Sequence, residues 1–182
     1  KSAGSFINDD KDGKITEWYE NGEKYREQNY SGGKKDGLMF NWYESGSKKE
    51  QEYFTSGLAN GVHQQWYENG QKMIEGHYIN GKYDGLWTQW YANGQIFLHG
   101  KYNEDMLIGE WNQWYKNGNK YFSGIYKDSN QEGDWLYYSP NSLDSSRISY
   151  FEGKPQNGKK IEWYDNGKKE SEITYVSGGI KG

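Results

Sequence analysis

The chain has 182 residues, 22 Lys and Arg against 26 Asp and Glu, a formal net charge of −4 and no cysteine. Acids and bases are interspersed with no basic stripe, which argues against a nucleic-acid partner, and the missing cysteines exclude disulfides and thiolate-held zinc or iron–sulfur centres. Hydrophobic residues make up only 32%, as in disordered chains, but aromatics reach 18%, so a fold here must bury rings rather than aliphatic side chains.

The first twelve residues read as half of a repeat. Gly4-Ser5-Phe6 matches Gly100-Lys101-Tyr102 further along, at the second strand of a repeat. From there a tryptophan recurs every 24 residues, at Trp18, Trp42, Trp66, Trp90 and Trp114, and again at Trp163. Each opens nearly the same phrase: WYENG, WYESG, WYENG, WYANG, WYKNG, WYDNG. A fixed period of this length marks an array of small supersecondary units. With the tryptophan as position 0, glycine stands at −5 (Gly13, Gly37, Gly61, Gly85, Gly109, Gly133, Gly158) and an aromatic at +12 (Tyr30, Phe54, Tyr78, Tyr102, Tyr126, Tyr150, Tyr175). This frame recovers a degenerate sixth repeat on Tyr138, whose turn reads Pro140-Asn141-Ser142. The division is a half repeat at 1–12, then repeats 13–36, 37–60, 61–84, 85–108, 109–132, 133–157 and 158–182, forming one array. The repeat 133–157 carries one extra residue, placed in the loop Gly153-Lys154-Pro155-Gln156-Asn157. Gly182 falls on the −5 position of a further repeat, so the array reads as cut from a longer one, or as ending in half-repeat caps.

Asn-Gly between two strand-like runs predicts a hairpin with a type I′ turn in each repeat. No helical period competes. The expected fold is all-β: an elongated, twisted antiparallel sheet of seven tandem hairpins, about 14 strands and about 65 Å long at ~4.8 Å per strand. A two-residue loop sets position 0 against +7 and +1 against +6. It also sets −3 against +10, so that Trp111 faces Gly124, a ring covering exposed backbone. Strand alternation then assigns −3, +1 and +12 to one face, and 0 with +7 to the other.

Candidate sites are few. Asn8 to Ile15 resembles a calcium loop, but the position of its bidentate glutamate falls on Tyr19, and Asp12-Gly13 is the repeat's own Asp-Gly. His63, His77 and His99 occupy different positions of their repeats and read as packing residues, with His63 opposite Gly76. No metal ligand set, cofactor motif or catalytic pair is legible. The most variable position is −3, where Ile15, Met39 and His63 give way to Trp87, Trp111 and Trp135. These rings either pack across glycine or form an aromatic partner-binding face with Tyr67, Tyr91 and Tyr115.

The phrase Gly85-Leu86-Trp87-Thr88-Gln89-Trp90-Tyr91-Ala92-Asn93-Gly94 resembles the MORN repeat, and more closely the bacterial MORN-2 variant found in the YwqK-like antitoxin family. The resemblance covers nearly the whole chain and implies a non-catalytic hairpin array. It implies protein partners, self-association, or a toxin neutralised by binding, and phospholipid as a further ligand. The alternative is a surface module holding phospholipid, choline or glycan on the aromatic ladder by cation–π or stacking contacts. The chain is expected not to be transmembrane, to be bacterial, and to be exported or envelope-associated if a signal peptide precedes it.

Overall fold

The structure is a computed structural model and describes residues 1–181; Gly182, and with it the expected start of a further repeat, lies outside the described residues. Among the described residues there is no helix, and every strand pairs antiparallel, as the hairpin repeat predicts. The chain forms two compact units, one of residues 1–85 with 92–94, the other of residues 86–91 and 95 onward.

The N-terminal unit contains three long hairpins: Gly13–Trp18 with Lys24–Ser31, Lys34–Trp42 with Lys48–Thr55, and Gly61–Trp66 with Lys72–Ile79. Successive hairpins pair with each other, for example Gln28 with Met39 and Gln51 with Gln64. In the C-terminal unit Ile96–Asn103 pairs with Met106–Trp114, which pairs on with Lys120–Lys127. Asn130–Tyr138 with Ser145–Phe151, then Lys154–Trp163 with Lys169–Val176, continue the order. Within each unit these pairings are between neighbours in sequence, so the edge of one hairpin is covered by the next.

The turns correct the expected geometry. At Tyr19-Glu20-Asn21-Gly22 the Gly22 amide donates to the Tyr19 carbonyl, and only Gly22 of the central residues has positive φ. That is a type I turn followed by a left-handed glycine, not type I′. Asn21 is there for its side chain: its Oδ1 accepts from the Glu23 amide at 2.9 Å. Asn69, Asn117 and Asn166 make the same bond. The type I′ turns lie instead between hairpins. Ser56-Gly57, Asn80-Gly81, Glu104-Asp105 and Asp128-Ser129 each carry two positive φ values and join strands two residues apart. Asn8-Asp9 is another such turn (φ 50° and 68°), so the calcium-like segment is a tight hairpin.

The longer loop also shifts the register near it. Position −3 opposes +10 as expected: Ile15 with Gln28, His63 with Gly76, Trp111 with Gly124. Position 0, however, opposes +6 rather than +7: Trp18 with Lys24, Trp42 with Lys48, Trp114 with Lys120. A β-bulge at +7 absorbs the difference. The sixth hairpin shows the cause by exception. Its loop is one residue longer, and there Tyr138 opposes Ser145 with no bulge.

The bulge redistributes the faces. Position +7 turns to the same side as −3, and the +1 tyrosine packs on it: Tyr19 on Tyr25, Tyr91 on Phe97 and Tyr115 on Tyr121, with centroids 5.1–5.2 Å apart. The constant tryptophan stays on the opposite face, where lysine at +6 covers it; Lys24 lies over Trp42, Lys48 over Trp66 and Lys120 over Trp114. Each such cation–π contact contributes roughly 0.5–1 kcal/mol at an exposed site.

Candidate functional site

The buried face is the one carrying −3 and +12. Ile15, Met39 and His63 are buried in the N-terminal unit, and Trp87, Trp111 and Trp135 in the C-terminal unit, with Trp135 only 1% exposed. The C-terminal rings interleave edge-to-face in the order Trp87, Tyr102, Trp111, Tyr126, Trp135, Tyr150, at 4.9–6.2 Å and 69–89° between planes. Such pairs add about 0.5–1.5 kcal/mol each beyond burial, which lets a chain poor in aliphatics hold a core.

The tryptophans do cover glycine, but across hairpins. The Trp111 ring lies on Gly100 of the preceding hairpin and the Trp135 ring on Gly124. Their indole N–H groups donate to the Lys101 and Ile125 carbonyls, both at 3.2 Å. The −3 side chain is thus the wedge between one repeat and the one before it.

Tyrosine at +1 and asparagine at +3 staple each repeat to the one after it. The Tyr19, Tyr43, Tyr91 and Tyr115 hydroxyls donate to carbonyls 23 residues on, those of Trp42, Trp66, Trp114 and Tyr138, at 2.8–2.9 Å. Burial pushes the Tyr19, Tyr43 and Tyr115 hydroxyls above the usual tyrosine range, which keeps the donating proton in place. Asn21, Asn69 and Asn117 donate in parallel to the carbonyls of Glu44, Ala92 and Pro140. The recurring Trp-Tyr-x-Asn-Gly phrase is therefore a turn and a lateral hydrogen-bond ladder at once.

The six residues expected as one aromatic partner face do not form an exposed stripe. Trp87, Trp111 and Trp135 are core, and Tyr67, Tyr91 and Tyr115 are half-buried at the turns. One set of exposed apolar side chains lies on the opposite face, at −4 and +11. Leu38 (39% exposed) faces Tyr53 (43%) across the second hairpin, and Val62 (49%) holds the Leu38 position in the third. Leu86 and Ile125 are exposed at the corresponding positions of the C-terminal unit. A shallow dent beside Ile125 is lined by Gly109, Glu110, Ser123, Gly124 and Asp134. Ion pairs Lys14–Glu27, Lys24–Glu27, Lys159–Glu172 and Lys169–Glu172 occupy the rest of this face in the first and last repeats.

The histidines part company. His99 Nδ1 lies 2.8 Å from the Thr88 hydroxyl on the outer face. His63 is buried in the core row, its ring edge-on to Tyr78 at 5.5 Å. Glu50 and Glu52 of the preceding hairpin join it, with one ligand atom from each of the three within 4.8 Å of the others. The cluster is not legible from the histidines alone, because its carboxylates belong to the preceding repeat. The available signal is that His63 is the one histidine at −3, a position with apolar side chains in the five other repeats before the last, and that Glu52 holds the +10 position of the hairpin before it.

Residues 11–31, 35–56, 59–80, 83–104 and 156–177 match the family described as MORN repeat variant, more than half of the chain. The chain is a MORN-repeat protein. No curated protein matches it. Between the fourth and fifth matched stretches, residues 105–155 fold as the same hairpins without matching. MORN repeats are generally non-enzymatic scaffolds for protein or membrane interaction. Among the described residues no helix is long and apolar enough to cross a membrane.

Proposed function

We propose that this MORN-repeat array is a non-catalytic scaffold whose outer face binds other proteins. The observation that carries the reading is the division of labour between faces. The −3 and +12 rings of the middle repeats, with the +1 hydroxyls and +3 amides that bond to the next repeat, are engaged in joining repeats, whereas Leu38, Tyr53 and Val62 stand exposed on the other side. Interaction surfaces are enriched in aromatic and apolar anchors of this kind set in polar rims, and lysine–glutamate pairs supply such a rim here. Tyr67, Tyr91 and Tyr115 lie half-buried at their turns on the core side, and in the C-terminal unit Trp87, Trp111 and Trp135 hold the repeats in line from that same side.

An antitoxin or immunity role is the narrower form of this reading, in which the partner is a toxin neutralised by masking. Co-expression with a toxin encoded beside the gene tests it: a stable complex and rescued growth support it. The binding face itself is tested by Leu38→Ser, Tyr53→Ser and Val62→Ser together. Loss of partner binding with an unchanged melting temperature is expected; retained binding removes the outer face from the reading. A surface module for choline, glycan or phospholipid makes a different prediction, a saturable change in tryptophan fluorescence on titration with each. The scaffold reading expects a flat response to all three.

A further inference from the structure

We propose that Glu50, Glu52 and His63 form a binding site for a divalent first-row transition-metal ion, with zinc as its best-fitting occupant. The repeat itself isolates the site. In the C-terminal unit the −3 side chain wedges as an apolar group on the +10 glycine of the preceding hairpin, as Trp111 does on Gly100 and Trp135 on Gly124, and in the N-terminal unit Met39 meets Gln28. At the second and third hairpins both partners of that contact change together. Glutamate stands at +10 and histidine at −3, and His63 Nδ1 comes 3.6 Å from Glu52 Oε1. That is wider than a hydrogen bond between these atoms. It is close to the ~3.4 Å that separates two tetrahedral ligands each ~2.1 Å from zinc.

Glu50 completes the set from two residues away on the same strand face, with the three ligand atoms within 4.8 Å. Its carboxylate is held in place by two donors, Asn41 Nδ2 at 2.6 Å on one oxygen and Gln65 Nε2 at 2.8 Å on the other. Arg26 Nε in turn donates to Asn41 Oδ1 at 2.9 Å. Each carboxylate oxygen keeps a second lone pair, and outer-shell donors of this kind orient metal-ligating carboxylates. The His63 ring is fixed by its edge-on contact with Tyr78. Imidazole with two carboxylates suits zinc, manganese or nickel and disfavours magnesium and calcium, which take all-oxygen shells. Glu50 and Glu52 are partly buried, with the Glu52 side chain only 14% exposed, and the three residues leave the fourth position of a tetrahedral ion to a water or a further ligand.

The test is isothermal titration of zinc chloride into the untagged chain, alongside manganese, nickel, magnesium and calcium chlorides. One equivalent of zinc is expected to bind, unaffected by excess magnesium or calcium. Glu52→Gln and His63→Ala should each weaken zinc binding at least about 10–100-fold, since removing a ligand costs no less than removing its second-shell partner. His77→Ala and His99→Ala should leave it unchanged. Thermal melts with zinc should rise for the parent chain and not for Glu52→Gln. Should His63→Ala fail to fold, the isosteric Glu52→Gln decides. No zinc binding by the parent chain overturns the proposal, as does binding that survives Glu52→Gln or disappears with His77→Ala.

Discussion

The Trp111 indole lies over Gly100 of the preceding hairpin so closely that a Cβ on that glycine would meet the ring at 2.1 Å. Trp135 stands in the same relation to Gly124, at 2.2 Å. Neither contact has room for a methyl group. Gly100→Ala and Gly124→Ala should therefore each cost about 1–3 kcal/mol through overpacking, and Trp111→Ala about 3–5 kcal/mol through the void it leaves. Ser123→Ala, on the outer face of the strand that carries Gly124, should stay within about 0.5 kcal/mol. Urea unfolding of the full chain measures all four, and equal losses at Gly124 and Ser123 would show that the wedge is not what joins repeats.

The hairpin count, the all-β class and the −3 to +10 register were legible because they follow from period and alternation. The turn type was not. Asn-Gly in isolation favours type I′, but Asn21 gains one bond to the Glu23 amide and another to the Glu44 carbonyl by leaving that geometry. The second bond belongs to the array rather than to the repeat, and the resulting bulge moves +7 to the other face. The choice of neighbour was hidden for the same reason. A strand residue touches both flanking strands, and the Trp111 ring lies over Gly100 on one of them although its register partner, Gly124, is on the other. Glu50, Glu52 and His63 were hidden by sequence distance and by belonging to different repeats.

The tyrosine ladder predicts a cost for removing single oxygens. Tyr91→Phe and Tyr115→Phe keep the ring packing on Phe97 and Tyr121 but lose the bonds to the Trp114 and Tyr138 carbonyls. Each should lose about 0.5–1.5 kcal/mol. The loss should show locally as faster amide exchange in the turn of that repeat and the following one. Exchange unchanged at these turns would assign the tyrosines to ring packing alone.

The exchanged turn types give opposite outcomes for the same kind of substitution. Glu104 and Asp105 both hold positive φ, 48° and 70°, a conformation that costs an L-residue roughly 1–2 kcal/mol. The double change Glu104→Asn with Asp105→Gly should stabilise the chain by about 1 kcal/mol. Asn69→Gly, in the turn that reads as the better hairpin signal, should destabilise it by a similar amount. Asn69 has no positive φ to relieve, and the change removes its bonds to the Gln71 amide and the Ala92 carbonyl. A gain at Asn69 would return type I′ geometry to that turn.

In the last hairpin Glu172 is gripped by Lys159 at 2.8 Å and Lys169 at 2.9 Å, which lower its carboxyl to about 2. A carboxyl whose folded value lies below its unfolded one is bound more readily by protons in the unfolded chain. Its contribution is therefore full above the unfolded value, near 4.5, and is lost as pH falls toward 2. The melting-temperature gap between the parent chain and Glu172→Gln should be largest at about pH 6 and close across that acid window. The group is exposed, so the gap should also shrink in about 1 M salt, where the Debye length is only ~3 Å. A gap that persists unchanged at low pH and high salt would mean that Glu172 acts through the packing of its chain and not through its charge.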